Sequence, residues 1–219
     1  MRIDLHCHTL LSDGELIPIE LARRAVAKGH KAIAITDHAS LSNLDRIIGE
    51  AERDVDLAAE WGLEMIVGVE ITHVPVRRID QVVREARKKG AQLIVIHGET
   101  VNEPVEKGTN RASVDNPEVD ILAHPGFITL EEVEAAKKND VVLEITSRRS
   151  HNSTNGHVAR LAQLIGARMV VNTDAHSPSD LIDLETARNV ALAAGLTAQE
   201  AEKAVNRTPK EILRRVKRR

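Results

Sequence analysis

Short apolar runs alternate with longer, more polar stretches along most of the chain. The runs are rich in isoleucine and valine and are bounded by turn-forming residues, as is typical of buried strands. They predict strands at residues 3–6, 32–36, 64–69, 93–96, 121–123, 141–145 and 169–172. Strand–helix alternation of this kind predicts a parallel sheet with helices outside it, either open and doubly wound or closed as a barrel.

Capping residues mark several predicted helix starts. Thr129, Thr197 and Thr208 each stand three positions before a glutamate, which is the pattern of a capping box, and Pro209 would occupy the first turn of the last helix. The least regular segment is 98–114, after the fourth predicted strand. Loops of this length in compact domains tend to be functional.

Length and composition predict one domain without a membrane segment. The 219 residues suit a single unit, and a hydrophobic content of 42% is enough for a substantial core. No apolar run approaches the ~18 residues of a membrane helix, and the HCH stretch at residue 6 leaves no room for a signal peptide. A single cysteine excludes an internal disulfide framework. These absences predict a cytoplasmic protein with no membrane partner.

Charge and aromatic content argue against a dedicated nucleic-acid binder. The net charge is −3, and Trp61 and Phe127 are the sole aromatic residues on which a base could stack. Basic residues do cluster in segment 208–219, which predicts a helix with a solvated basic face packed outside the barrel. An RNA contact is the alternative interpretation of that segment.

Histidines and carboxylates follow six of the seven predicted strands. His6 and His8 would point to the same side, because strand side chains repeat their direction every second residue. The ends of parallel strands lie on one face, where α/β barrels and open sheets build their active sites. The candidate ligands are His6, His8, Asp13, His38, Glu70, His97, His124, Asp174 and His176.

These donors predict a multinuclear metal site. Nitrogen and oxygen ligands without a usable thiolate favour zinc, manganese or iron. Nine donors are too many for one ion and predict two or three divalent ions that share a carboxylate. Sites with ions ~3.5–4 Å apart serve the hydrolysis of phosphate esters.

At the level of motifs, the chain resembles the PHP (polymerase and histidinol phosphatase) superfamily. The motifs DLHCHTLLSDG, ITDH, GVE, IHGE, AHPG and NTDAH occur in the order and spacing of that family over essentially the whole chain. The resemblance implies a distorted (β/α)7 TIM-like barrel that forms a single domain over residues 1–219. It also implies a trinuclear metal centre and the activity of a metal-dependent phosphoesterase.

Matched motif by motif, the resemblance assigns the nine donors to three ions. A metal-bridging hydroxide would be the nucleophile, with Asp174 and His176 as the catalytic residues. Asp13 stands where some members have histidine, which favours harder ions such as manganese or iron. The implied sets are His6, His8, Glu70 and Asp174 for the first ion, Asp13, His38 and His176 for the second, and Glu70, His97 and His124, with Glu70 bridging, for the third.

Candidate substrate contacts lie mainly in the loop after the sixth predicted strand. Arg148 or Arg149 would hold a phosphate through two parallel hydrogen bonds, and His151 would assist. The alternative interpretation is a polar surface loop that caps the next helix. His73, three residues after Glu70, and Arg111, in segment 98–114, are further candidates.

The favoured function is hydrolysis of a small phosphomonoester, as in histidinol phosphatases. A nucleotide or oligonucleotide phosphoesterase, for example a 3'-5' exonuclease, is the alternative within the same fold. Metal-dependent amidohydrolases and TatD-type nucleases also begin with HxH, but they account for neither His38 nor His176. A non-catalytic barrel scaffold or RNA-binding subunit, as in archaeal RNase P, is the alternative of another class.

Overall fold

The computed structural model of the protein describes residues 1–218, and in them parallel strands form a nearly closed barrel. Successive strands pair in parallel because helical segments return the chain to the same end of the sheet. The strands are β1 (Arg2–Asp4), β2 (His30–Ile35), β3 (His38–Ala39), β4 (Glu64–Ile71), β5 (Leu93–His97), β6 (Ile121–Ala123), β7 (Val142–Thr146) and β8 (Met169–Asn172).

Seven of these strands follow the order β1-β2-β4-β5-β6-β7-β8 around the barrel, and the two-residue β3 pairs with β4 beyond the end of β2. The seam between β8 and β1 is closed by a parallel bridge between Cys7 and Ala175. There the His8 N–H donates to the Ala175 carbonyl at 2.8 Å. The predicted distorted barrel is therefore confirmed, and the open doubly wound sheet is excluded.

Helices cover the outside of the barrel and one of its mouths. They are α1 (Pro18–Ala27), α2 (Leu44–Glu52), α3 (Val55–Ala59), α4 (Ile79–Lys88), α5 (Thr109–Val114), α6 (Leu130–Asn139), α7 (Asn155–Ile165), α8 (Leu184–Ala193), α9 (Ala198–Glu202) and α10 (Thr208–Val216). No helix of residues 1–218 is long and apolar enough to cross a membrane.

Along each strand, successive residues belong alternately to two apolar layers. One set packs outward against the helices, and the other fills the barrel interior with small and branched aliphatic side chains such as Ile3, Ala34 and Val95. Ile212 and Val216 of α10 belong to the interior cluster. The last helix therefore closes the mouth of the barrel at the amino ends of the strands, opposite the candidate ligands.

Two helix starts agree with the sequence pattern and one differs. Thr129 and Thr197 form the predicted capping boxes. Thr208 instead continues a helical path, because a π-helical turn at Lys203–Arg207 joins α9 to α10. Segment 98–114 is irregular only in its first part, since α5 occupies its end. Arg219, the last residue of the predicted basic helix 208–219, lies outside the described residues.

Candidate metal centre

The candidate ligands converge where the strands end. β1 leads directly to His6 and His8, while β3, β4 and β5 contain His38, Glu70 and His97 themselves. The remaining donors stand in the loops that follow β1, β6 and β8. These loop donors are Asp13, His124, Asp174 and His176.

Glu70 lies at the centre of the cluster and is fully buried. His6 Nε2 approaches its Oε1 at 3.3 Å, and His124 Nε2 approaches the same oxygen at 3.4 Å. His8 Nε2 lies 3.4 Å from Oε2. Asp174 faces the same histidines, with its Oδ1 3.2 Å from His8 Nε2. Two buried carboxylates thus share one set of imidazoles.

A second group lies at the more open side of the cluster. Asp13 Oδ2 is 3.2 Å from His176 Nε2 and 3.6 Å from His38 Nε2. His8 joins this group, with its Nδ1 3.8 Å from Asp13 Oδ1. One donor atom from each of the four side chains lies within 4.8 Å of the others, a spacing that a single ion can span.

A third group joins the β5 and β6 ends to the loop after β7. His97, His124 and His151 each place a ring nitrogen within 4.8 Å of the others. The His124 and His151 rings stack with their centroids 4.3 Å apart. His151, which the sequence analysis expects to assist substrate binding, is buried beside two of the candidate ligands.

Several outer contacts orient these rings. His38 Nδ1 lies 2.7 Å from Thr72 Oγ1, and the His97 Nδ1–H donates to the Gly98 carbonyl at 3.2 Å. The carboxylate of Asp37 accepts from the Thr9 N–H and hydroxyl at 2.7 and 2.8 Å, which fixes the start of the loop that carries Asp13. Contacts of this kind select the ring tautomer and hold each donor in place.

The sequence interpretation missed Glu144, a carboxylate on β7. Its Oε1 accepts from His6 Nδ1 at 2.8 Å, and its Oε2 accepts from the His124 backbone N–H at 3.1 Å. Asn172 also donates to Oε1 at 2.9 Å. The signal in the sequence was an acidic residue inside the apolar run VVLEIT, on the one strand that lacked a terminal ligand.

The second missed residue is Glu103, in the loop between β5 and α5. Its carboxylate contacts His97 at 3.0 Å, His73 at 3.3 Å and His151 at 3.5 Å. Segment 98–114 was expected to be functional as a whole, and its sequence has nothing that distinguishes Glu103 from the nearby Glu99 and Glu106.

Three site residues have strained backbones. His73, His124 and Asp174 have φ angles of 50°, 26° and 52°, in the left-handed region that non-glycine residues rarely occupy. Gly126, with φ 61°, packs against the Glu99 carbonyl so closely that no Cβ would fit. Such strain clusters at functional sites, where the surrounding structure maintains it.

The charges of the site are strongly coupled. Burial by itself raises the pKa of Glu70, but His6, His38 and His97 hold that pKa well below its usual range. For Asp174, burial has the same effect and nearby histidines likewise lower the pKa. Burial lowers the pKa of His8 to about 4, so at pH 7 its ring is neutral and retains a lone pair for a ligand bond.

Of the candidate substrate residues, Arg148 reaches the cluster. Its Nη1 donates to the Asp174 carbonyl at 3.0 Å, and its Nε lies 3.5 Å from Asp174 Oδ2. Arg149 is exposed and lines a groove with Ser147 and Thr173. Arg111 does not join the cluster in this structure, because it pairs with Asp115 at 2.6 Å on the exposed side of α5.

The donor set fits divalent cations. Glu70 is buried and its Oε2 lies 2.8 Å from His38 Nδ1, yet neither carboxylate oxygen accepts a well-directed hydrogen bond from residues 1–218. Burying a carboxylate in this way is costly unless a cation compensates it. The imidazoles around Glu70 present nitrogen atoms toward it, and this mixture of nitrogen and oxygen donors suits zinc, manganese or iron.

Comparison with known proteins agrees with the geometry. The sequence profile of the PHP domain matches residues 4–107. A protein of Caldanaerobacter subterraneus subsp. tengcongensis named "Probable phosphatase" is 33% identical over 192 residues, which cover 80% of this chain and 76% of that protein. The chain belongs to the PHP family. An uncharacterized protein of Methanocaldococcus jannaschii is 50% identical over 99% of this PHP chain and 100% of its own length.

Other PHP relatives have a different description. The Ribonuclease P protein component 3 of Natronomonas pharaonis is 27% identical over 203 residues, which cover 85% of this chain and 75% of that protein. A chain in the cryo-EM structure of archaeal Ribonuclease P with mature tRNA superposes with a TM-score of 0.76 at 18% identity, covering 99% of this chain and 92% of that one. The superposition supports the barrel fold.

Proposed function

We propose that this PHP protein is a metal-dependent phosphoesterase that hydrolyses a small phosphomonoester. The observation that carries the proposal is the clustering of all nine donors, with buried Glu70 at their centre and the Arg148 guanidinium beside them. The buried carboxylates of Glu70 and Asp174 lie 2.8–3.8 Å from ring nitrogens of several histidines, and such a concentration of coupled charges is typical of a functional site.

Two or three divalent ions, of zinc, manganese or iron, fit this arrangement. The family motifs would assign the first to His6, His8, Glu70 and Asp174, the second to Asp13, His38 and His176, and the third to Glu70, His97 and His124. Ions in such a site activate water and neutralise charge on phosphoryl oxygens.

The protein's own residues orient the reacting groups. Glu144 accepts from His6 Nδ1, so His6 Nε2 is the ring nitrogen that faces the centre. The His176 Nδ1–H donates to the Asp174 carbonyl at 2.9 Å, and this directs His176 Nε2 toward Asp13. The Arg148 side chain is 27% exposed, so its guanidinium is available to a phosphate that enters beside Asp174.

A small substrate agrees best with the surroundings of the site. The chain has two aromatic residues, and Phe127 is exposed on the loop after β6 rather than stacked over the ligands. Recognition of a base by stacking therefore has little support. Nucleotide or oligonucleotide ends are the alternative substrates of the same chemistry.

The direct test is phosphate release from histidinol phosphate, sugar phosphates and nucleotides by the manganese-, zinc- or iron-loaded protein. Release from one monoester, abolished in the His6→Ala/His8→Ala variant with retained circular dichroism, supports the proposal. Turnover by that variant would reject the mechanism. If no monoester is hydrolysed although metal is bound, the phosphodiester ends of nucleic acids become the favoured substrate.

An RNA-binding subunit is the second candidate function, and a basic stripe favours it. Lys203, Arg207, Lys210, Arg214 and Lys217 follow one another at intervals of four and three residues, so they share a face of the continuous helical segment α9–α10. This stripe lies at the end of the barrel opposite the ligands. The relationship to Ribonuclease P protein component 3 supports an RNA partner for it.

Binding of a structured RNA such as tRNA tests this second function. The Lys210→Glu/Arg214→Glu variant should lose affinity, and binding by the parent protein should weaken steeply with salt. The Lys88→Glu/Lys138→Glu variant, which alters charge on other helices, serves as control. Equal affinity of all three proteins would reject the stripe as an RNA contact.

A further inference from the structure

Glu103 connects His73 and His151 to His97, a member of the PHP ligand set. This carboxylate comes from the loop between β5 and α5 and contacts imidazoles from three separate segments: His73 after β4, His97 at the end of β5 and His151 after β7. One donor atom each from His73, His97 and Glu103 lies within 4.8 Å of the others. Of these, only His97 has a ligand role implied by the family motifs.

The orientation of His97 indicates what lies between these groups. Its Nδ1–H donates to the Gly98 carbonyl, which can only accept, so Nε2 is the ring nitrogen that faces Glu103. Nε2 lies 3.0 Å from Glu103 Oε2, a carboxylate oxygen that can only accept. A proton or a cation therefore lies between these two atoms.

The spacing of the atoms suits a cation. Ligand atoms ~2.0–2.2 Å from a tetrahedral ion lie roughly 3.3–3.6 Å from one another. Glu103 lies 3.3 Å from His73 and 3.5 Å from His151, within this range, and 3.0 Å from His97, somewhat closer than the range. His151 is itself held by Thr100 Oγ1, 2.7 Å from its Nδ1, so that its Nε2 faces the carboxylate.

Glu103 is the residue through which the tip of the loop contacts the histidines of the barrel. At its base, Glu99 Oε1 accepts from the backbone N–H groups of Gly108 and Asn110 at 2.8 and 2.9 Å. Residues 101–104 at its tip are exposed, and the Glu103 carboxylate connects this tip to the imidazoles of the barrel. A cation at the carboxylate would therefore fasten the tip over the site.

We propose that Glu103 is an additional ligand to the divalent ion held by His97, so that metal binding orders the 98–108 loop over the centre. This inference rests on the metal centre of the proposed function. It predicts that the loop senses metal occupancy and that Glu103 occupies a coordination position that a substrate oxygen would otherwise take.

The test compares Glu103→Gln with Glu106→Gln, a matched control on the same loop whose carboxylate accepts from the Val76 N–H instead. Metal-free proteins are titrated with Mn²⁺ and with Zn²⁺ by calorimetry. Trypsin cleavage after exposed Lys107 is followed by mass spectrometry with and without metal. Circular dichroism of the metal-free variants establishes that each is folded.

We expect metal to slow cleavage after Lys107 at least tenfold in the parent protein and in Glu106→Gln. In Glu103→Gln this protection should disappear, and the weakest-bound ion should bind at least tenfold more weakly. Unchanged affinity and protection in Glu103→Gln would overturn the inference alone and leave Glu103 as a partner of protonated His97. A parent protein that binds neither metal would overturn the inference together with the proposed function.

Discussion

The carboxylate of Glu144 accepts a hydrogen bond from His6 Nδ1 across 2.8 Å in a fully buried part of the barrel. Burial by itself opposes a charge on His6, yet Glu144, Glu70 and Asp174 together raise the pKa of that ring well above its usual value. The pair is the carboxylate–histidine arrangement that orients ligands in metal sites. It therefore provides a sensitive test of the proposed centre.

Replacing Glu144 with glutamine should weaken metal binding about 10- to 100-fold, because the amide preserves the size of the side chain but not its charge. Calorimetric titration with manganese measures the effect. Glu134→Gln, an equivalent change at an exposed position on α6, should bind metal as the parent does. Equal manganese affinity of all three proteins would show that Glu144 does not contribute to metal binding.

Replacing Arg148 with alanine should raise KM for phosphomonoesters about tenfold or more, because a charge-assisted hydrogen bond contributes roughly 1.5–3 kcal/mol. Steady-state kinetics with the best substrate of the panel measures it. Arg84→Ala, which removes an exposed arginine of α4 paired with Asp80, is the matched control. An unchanged KM would indicate that Arg148 does not bind the phosphate and that the loop after β7 has a structural role.

Removal of metal should lower thermal stability. The cluster buries Glu70 and Asp174 among imidazoles, so a bound cation relieves electrostatic cost in the folded state alone. A ligand at 100 times its Kd stabilises by about 2.7 kcal/mol, which is about 5–10 °C in Tm for a chain of this length. Scanning calorimetry with saturating manganese and with chelator measures the difference. Identical Tm values would contradict a metal-binding cluster.

The buried pair of Arg2 and Asp4, 2.9 Å apart near the barrel seam, predicts a pH-dependent contribution to stability. Burial by itself raises the pKa of Asp4, but Arg2 and His30 lower it from 3.8 to about 2. Because the pKa of Asp4 is lower in the folded state than in the unfolded state, its charge stabilises the fold at pH values above the unfolded-state pKa. This contribution is lost as the pH falls toward 2. The contribution at neutral pH is about 2 kcal/mol.

Asp4→Asn should therefore lose about 3–5 kcal/mol at pH 7, because Arg2 stays buried without its counter-charge. The difference from the parent should shrink by about 1 kcal/mol between pH 5 and pH 3. Urea unfolding of metal-free protein at several pH values measures it. Asp56→Asn, at an exposed position on α3, should show neither effect. A pH-independent difference would assign the loss to packing rather than charge.

The sequence predicted the strands, the PHP-type barrel and the clustering of the nine donors, because each depends on local information. Isoleucine- and valine-rich runs specify buried strands, and parallel strands bring residues such as His97 and His124 to one face whatever the details of packing. The motifs then supplied the expected grouping of the ligands.

Tertiary structure decided what depends on contacts between distant segments. Glu144 lies inside an apolar run, and only the register of β7 beside β8 directs it to His6 and Asn172. Glu103 and its neighbouring glutamates look alike in sequence, and loop geometry alone selects the one that meets the histidines. Arg111 matched a phosphate-binding residue by type but pairs with Asp115, because helical spacing places that carboxylate nearer.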